Sequence, residues 1–361
     1  MKLIAQLKLQ PTPEQHALLK QTLETANAAC NYASAVAWEQ QVFGQFALQK
    51  LCYKAIRQQF DLGADVVVRV FAKVADAYKL DNQTKRGFKP LAAFPFNERL
   101  VSYKLTPQVV SIWTMGGRQK MPFVCGEQQL ALLQGLRGEC DLVYRKDEFY
   151  LFQTCDVEEA PEIEADEFLG IDMGIANIAV DSDTTFHQGK GIKHVRYRHR
   201  ALREKLQAKH TDSARRKLKR LSGQERRYAT NVNHVIAKQI VKTAQDTGRG
   251  IALENLKGIR KRVTARRGQR TVLHSWSFGQ LRSFMEYKAK RVGVCCKAVD
   301  PRNTSRTCPN PDCRHVDKAN RKTQDQFLCI RCGRAGHADY FAALEIRRRA
   351  EVNPPNVGTS A

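Results

Sequence analysis

"FLGIDMGIANIAVDSD" occupies residues 168–183. Phe168, Leu169 and Ile171, then Ile175, Ile178, Ala179 and Val180, make a run that a fold buries as strand. Asp172 stands inside it, between Ile171 and Met173, with Gly170 and Gly174 just outside. An ionised carboxylate among apolar strand residues is unfavourable unless something compensates its charge.

The same conflict recurs downstream. "GIALENL" (250–256) is a second short buried run and carries Glu254, followed by Asn255 and Leu256. Asp339 stands at the start of a helix in "GHADYFAALEI" (336–346). Singly, Asp172 also reads as a strand-end aspartate beside glycine, Glu254 as a paired core-edge residue and Asp339 as an N-cap or first-turn acid. Together they share one explanation. Carboxylates from two strands and a helix can hold two divalent cations about 3.5–4 Å apart, the arrangement that activates water and stabilises the leaving oxygen in phosphodiester cleavage. Without the cations the acids repel one another. Asp181, Asp183 and Glu345 are further acids within reach of such a site.

The charge balance fits that chemistry. The 361 residues hold 60 Lys and Arg against 36 Asp and Glu, a net charge of +24, so the expected partner is a polyanion, nucleic acid ahead of an anionic membrane surface. Lys190–Arg227 concentrates the excess, with fifteen Lys or Arg and three acids, Glu204, Asp212 and Glu225. Leu202, Leu206 and Leu218 give this stretch an apolar stripe, so it reads as basic helices, with Arg215, Arg216, Lys217, Lys219 and Arg220 as candidate phosphate contacts. "IRKRVTARRGQR" (259–270) is a second basic segment, expected as loop. No apolar run reaches the roughly 18 residues that span a bilayer, and "MKLIAQLKLQPTPEQ" lacks the apolar core of a signal peptide. The expectation is a soluble cytoplasmic, nucleoid-associated protein with no membrane partner.

Around these motifs the pattern is α/β. Residues 2–9 alternate as a strand, Thr12 and Pro13 open a helix, and helical patterns run to about Ala77. The chain breaks near "TKRGFKPLAAFPF" (84–96), and short β-type runs fill Val101–Thr154, so the first half reads as a β-unit interrupted by helices. The acidic, proline-containing "DVEEAPEIEADE" (156–167) reads as a linker. Beyond it, helices at 231–248 and 275–293 alternate with strands at 250–256 and 294–299, an α/β layer arrangement.

Of the eleven cysteines, Cys30, Cys52, Cys125, Cys140, Cys155, Cys295 and Cys296 are scattered among apolar residues and read as buried reduced thiols. The other four pair tightly, Cys308 with Cys313 in "CPNPDC" and Cys329 with Cys332 in "CIRC". Two close thiolate pairs suit tetrahedral zinc, and four thiolates leave no open position for water, so the ion would be structural. His315 and His337 are reserve ligands, and Arg314, Lys318, Arg321 and Lys322 are the residues through which this ribbon would touch nucleic acid. "GKGIK" (189–193) lacks the spacing of a phosphate-binding loop.

These residues resemble TnpB, the OrfB-type protein of bacterial insertion sequences. "GIDMGIANIAV" is similar to its first RuvC-like motif, "IALENLKGI" to its second, and the run from "SWSFGQLRSF" through the cysteine ribbon to "GHADYFAALEI" to its third, so the likeness covers about Glu167–Ile346. The opening "QLKLQPTPEQ" is similar as well. The resemblance implies an RNase H-like (RuvC-like) nuclease domain with Asp172, Glu254 and Asp339 as its catalytic, Mg²⁺- or Mn²⁺-binding acids. It also implies a β-barrel-like wedge domain over 1–165 carrying a helical recognition insert at about 11–90. The nuclease domain would begin at 166–302, the zinc ribbon would occupy 303–337, and the last nuclease helix and tail 338–361. The implied function is RNA-guided cleavage of double-stranded DNA beside a short transposon-adjacent motif, with a guide RNA from the transposon end as partner. Alternatives are a transposase acting without guide RNA, a nuclease-dead RNA-guided DNA-binding repressor, and a zinc-ribbon nucleic-acid binder with structural acids. The chain departs from the family pattern at C-x4-C, where C-x2-C is usual, and at Phe341 and Glu345, where asparagines are common.

Overall fold

Lys2–Leu9 (β1) alternates as its sequence requires, with Ala5, Leu7 and Leu9 buried. The next residues stop the strand and start Pro13–Gln40 (α1): the Thr12 hydroxyl accepts from the Gln15 amide while the Gln15 side chain accepts from the Thr12 amide, a closed capping box with proline at the first helical position. Gln45–Phe60 (α2) and Ala64–Leu80 (α3) complete a helical insertion, after which the chain returns to sheet in Phe94–Phe96 (β2), Val101–Lys104 (β3), Val109–Thr114 (β4), Gly117–Val124 (β5), Arg137–Arg145 (β6) and Glu148–Asp156 (β7), with the short helix Glu127–Leu133 (α4) between β5 and β6. The seven strands are wholly antiparallel, in the order β2-β6-β7-β1-β5-β4-β3, and curl into a nearly closed barrel. The computed structural model that gives this fold describes residues 1–135, 137–256 and 278–352. The basic segment 259–270 and the residues after 352 lie outside the described residues.

The chain divides into two compact units at Glu158/Glu159, seven residues before the break expected at 165. The reason is Ile163. It bridges Val294 and donates its amide to the Gly293 carbonyl at 2.8 Å, which ties the proline-containing segment to the second unit.

The second unit contains Phe168–Asp172 (β8), Asn177–Asp181 (β9), Phe186–Gln188 (β10), the helices Lys190–Gln207 (α5), Asp212–Leu221 (α6) and Gln224–Asp246 (α7), then Gly250–Glu254 (β11), Phe278–Arg291 (α8) and Cys296–Val299 (β12). A small hairpin, Gln326–Leu328 (β13) with Ala335–His337 (β14), precedes Ala338–Val352 (α9). The five-stranded sheet has the order β10-β9-β8-β11-β12: β8 to β10 are antiparallel, whereas β8, β11 and β12 are parallel.

Strand alternation sorts the core into two layers. Leu169, Ile171, Ile251 and Leu253 pack with Ile236, Ala237 and Ile240 of α7 and Leu281 and Met285 of α8. Phe168 and Ala252 pack on the opposite side with Val299 of β12 and Ile346 and Ala350 of α9. By the same period of two, Asp172 and Glu254 belong to the α9 side. Gly170 lets α9 come this close. A Cβ there would collide with the Ala343 carbonyl and stand 2.6 Å from the Arg347 amide, both backbone atoms of α9.

The seven scattered thiols are not uniform. Cys30, Cys52, Cys140 and Cys155 are buried, but Cys125, Cys295 and Cys296 are only half-buried. Gly170→Ala is expected to destabilise the second unit by about 3 kcal/mol or more, since helix backbone cannot move aside as a side chain can. Thermal unfolding of the two proteins side by side measures it.

Candidate active site

β8 and β11 lie side by side in parallel, paired Gly170 to Ala252 and Ile171 to Leu253, so Asp172 and Glu254 end neighbouring strands. Both stand at the carboxyl edge of the sheet, and β8 is the strand at which its order reverses, the position where open α/β sheets place their ligands. α9 supplies Asp339 in its first turn. Glu254 and Asp339 are buried, and Asp172 is partly buried.

Electrostatics link the other two acids to Asp172. Burial raises Asp172 well above the usual carboxylate range, and the negative charges of Glu254 and Asp339 raise it further, while Arg321 opposes them. Burial also raises Glu254, against the hydroxyl of Thr304 and the charges of Arg349 and Arg321. Thr304 donates to Glu254 Oε1. Asp339 is held at both oxygens: Asn177 donates to Oδ2 at 3.0 Å and Arg321 to Oδ1 at 2.9 Å. Its amide donates to His337 Nδ1 at 3.2 Å. His337 and Asp325 have ligating atoms within 4.8 Å of those of Asp339, a tighter set than the trio itself.

The trio fits hard divalent cations. Its donors are all carboxylate oxygens, the type of ligand such cations take, and the charges of Glu254 and Asp339 both bear on Asp172. The other candidate acids have work elsewhere. Asp181 accepts from the amides of Asp183 and Thr185 in its own turn, Asp183 pairs with Arg249, and fully buried Glu345 pairs with Arg314, Arg348 and Arg349.

The four ribbon cysteines converge with all Sγ atoms within 4.8 Å of one another. Cys308 and Cys332 are 3.6 Å apart, and Cys313 and Cys329 are 3.7 Å apart. A tetrahedral ion with Zn–S bonds of about 2.3 Å holds its sulfurs about 3.8 Å apart, so the cluster fits zinc. The longer first spacing is absorbed locally: the amides of Cys313 and Arg314 both bond the Asn310 carbonyl, and Arg314 takes a left-handed conformation, φ 48°. His315 and His337 lie outside this cluster. Of the ribbon cations expected to touch nucleic acid, Arg314 and Arg321 turn inward instead, onto Glu345 and Asp339.

Phe341 and Glu345 explain each other. They are one turn apart on α9, and both grip the ribbon: Phe341 against Phe327, ring centroids 5.2 Å apart, and Glu345 against Arg314 at 3.3 Å. Arg321, Thr304 and Asn177 escape sequence reading because each acts through a tertiary contact. Asn177 alone carries a hint, as a polar residue opening the apolar run Ile178–Val180.

Arg215, Arg216, Lys217, Lys219 and Arg220 are all exposed on α6. Arg215 pairs with Asp212 at 3.1 Å. Glu204 and Glu225 are likewise taken up, by Arg200 and by Arg196 with Arg203. Of the leucines expected as the stripe, Leu206 is buried and Leu202 and Leu218 are half-buried.

Residues 152–260 match a family model described as "Probable transposase" (OrfB_IS605), and residues 278–346 one described as "Cas12f1-like, TNB domain". The chain is similar to TnpB- and Cas12f-type proteins over parts of its length. It is 29% identical over 188 residues to the CRISPR-associated endodeoxyribonuclease Cas12f1 of Syntrophomonas palmitatica, covering 47% of this chain and 36% of that protein. It is 31% identical over 154 residues to the TnpB-like protein MJ0751 of Methanocaldococcus jannaschii, covering 41% of this chain and 54% of that protein. The matches thus span about half or less of these curated relatives' length. In fold it matches Cas12f1 in a Cas12f1–sgRNA–target DNA complex, TM-score 0.65 at 15% identity over 93% of this chain and 83% of that one. Among the described residues no helix is long and apolar enough to cross a membrane.

Two expectations follow. Elemental analysis should find one zinc per chain, and the double change Cys329→Ser and Cys332→Ser should loosen the ribbon to proteolysis, because binding there is coupled to folding. The second concerns pH. Asp172 and Glu254 are raised, so they favour the fold most below the ordinary carboxylate values of 3.8 and 4.5, and that contribution is lost as pH rises through their raised values. Metal-free protein should therefore lose thermal stability as pH rises above the ordinary carboxylate range, and Asp172→Asn should lessen the loss.

Proposed function

We propose that this protein is an RNA-guided, divalent-metal-dependent DNA endonuclease of an insertion sequence that cuts double-stranded DNA beside a short transposon-adjacent motif. The observation that carries the reading is that Asp172 and Glu254 end neighbouring parallel strands while the charges of Glu254 and Asp339 both bear on Asp172. Three antiparallel strands followed by two parallel ones, with α9 packed across the centre, is the arrangement expected of an RNase H-like nuclease. The relatives support the chemistry, since Cas12f1 is named an endodeoxyribonuclease and its structure was solved with guide RNA and target DNA.

On this reading Asp172, Glu254 and Asp339 hold two Mg²⁺ or Mn²⁺ ions. Such ions supply an activated water and stabilise the charge on the leaving oxygen. The protein's part is positional. Thr304 orients Glu254, Asn177 orients Asp339, and the strand ends fix Asp172 beside both. The exposed cations of α6 hold phosphate backbones without reading sequence, which base pairing with the guide supplies. The wedge-type domain over 1–165 with its insert at about 11–90, and the ribbon at 303–337 within the nuclease domain, complete the proposed organisation.

Asp172→Ala is expected to abolish Mg²⁺-dependent cleavage of a guide-matched plasmid while guide-dependent DNA binding persists. Adding Glu254→Ala should make it no worse, because the acids act as one unit. Cleavage at the wild-type rate by Asp172→Ala overturns the reading. Neutralising Arg215, Arg216, Lys217, Lys219 and Arg220 together should flatten the dependence of log affinity on log salt by about 0.7–0.9 per lost phosphate contact. An unchanged slope means that α6 is only a solvated face.

A further inference from the structure

Arg321 pairs directly with Asp339 of the acid trio, and it belongs to the ribbon. Fully buried Asn320 precedes it and knits the ribbon together. Its side chain donates to the carbonyls of Arg306 at 2.9 Å and His315 at 3.1 Å and accepts from the Ile330 amide at 3.0 Å. Arg321 itself bridges Phe327, whose ring packs on Phe341 of α9. Its guanidinium donates to the Gln324 carbonyl at 2.7 Å and to Asp339 Oδ1 at 2.9 Å. With Asn177 on Oδ2, both oxygens of Asp339 are engaged by the protein itself.

An arginine keeps its charge at every relevant pH, and a guanidinium is a planar donor rather than a ligand. It can neutralise a carboxylate, and its positive charge and its donor both oppose a cation approaching the same oxygen. We propose that Arg321 is an internal counter-ion of the acid trio, holding Asp339 in the cation-free chain and competing with divalent cations for its Oδ1. The inference rests on reading the trio as a cation site. It makes the folded ribbon a control on that site: the segment that orders the cysteines also delivers the competing charge. Once a cation takes Oδ1, the freed guanidinium is left beside the site, still anchored through the Gln324 carbonyl.

The sign of the effect separates this role from simple scaffolding. If Arg321 competes, removing it tightens divalent binding; if it only shapes the site, removing it weakens binding. The test is titration of Mn²⁺ into the purified full chain at pH 8, following free Mn²⁺ by electron paramagnetic resonance, with zinc content measured for each variant. Arg321→Gln is expected to lower the apparent Kd about tenfold, the order of one charge-assisted hydrogen bond. Arg321→Lys, which keeps the charge but loses the planar fork, should bind about threefold tighter than wild type and carries the test if the Gln variant fails to retain zinc. Affinity equal to or weaker than wild type in a zinc-retaining variant overturns the counter-ion. Asp172→Ala should lose this Mn²⁺ binding. If it binds as wild type does, the reading of the trio falls, and this inference with it; if it loses binding while the Arg321 variants do not tighten, only the inference falls.

Discussion

The second unit depends on one close approach, the backbone of α9 lying against Gly170 of β8 with no side chain between them. Everything at the acid site follows from it. Asp339 stands in the first turn of that helix, and its charge is among the causes that raise Asp172. The aspartate two residues beyond Gly170 therefore lies on the face of β8 that meets α9, the helix that carries Asp339. Packing and chemistry are set by the same pair of positions.

That geometry stores a conflict. Two strand-end acids and a helix-start acid are held together in a desolvated place, and the protein answers with a threonine, an asparagine and an arginine. These partners reduce the unfavourable charge without removing it, since Asp172 and Glu254 stay raised. On the proposed reading, divalent cations would compensate that charge. The ribbon contributes through two arms on α9, Arg321 on Asp339 and Arg314 on Glu345. Phe341 and Glu345, where the chain departs from the TnpB pattern, are the helix's half of that clamp.

Much of this was legible in the sequence because it is local. Strand periodicity placed β1, β8 and β11, the Thr12–Pro13 pair marked the start of α1, and an acid stranded in an apolar run marked Asp172 and Glu254. The cysteine pairs announced themselves by spacing, and the irregular first pair proved compatible with convergence because a turn at Asn310 takes up the slack. What the sequence hid is tertiary. Nothing around Arg321 distinguishes it from the neighbouring Lys322, yet one meets Asp339 and the other is exposed. The Ile163–Val294 pairing was hidden for the same reason: the division between the units falls inside the acidic, proline-containing segment read as linker, but nothing local shows that its second part pairs with Val294.

The central claim is that Asp172, Glu254 and Asp339 form a divalent-cation site. Anomalous diffraction from crystals soaked in Mn²⁺ tests it most directly. Manganese density among the three carboxylates, distinct from zinc density at the four cysteines, is the result this structure leads us to expect. Occupied cysteines beside a trio that shows no manganese at saturating concentration, with Asp339 still bonded to Arg321 and Glu254 to Thr304, would contradict it.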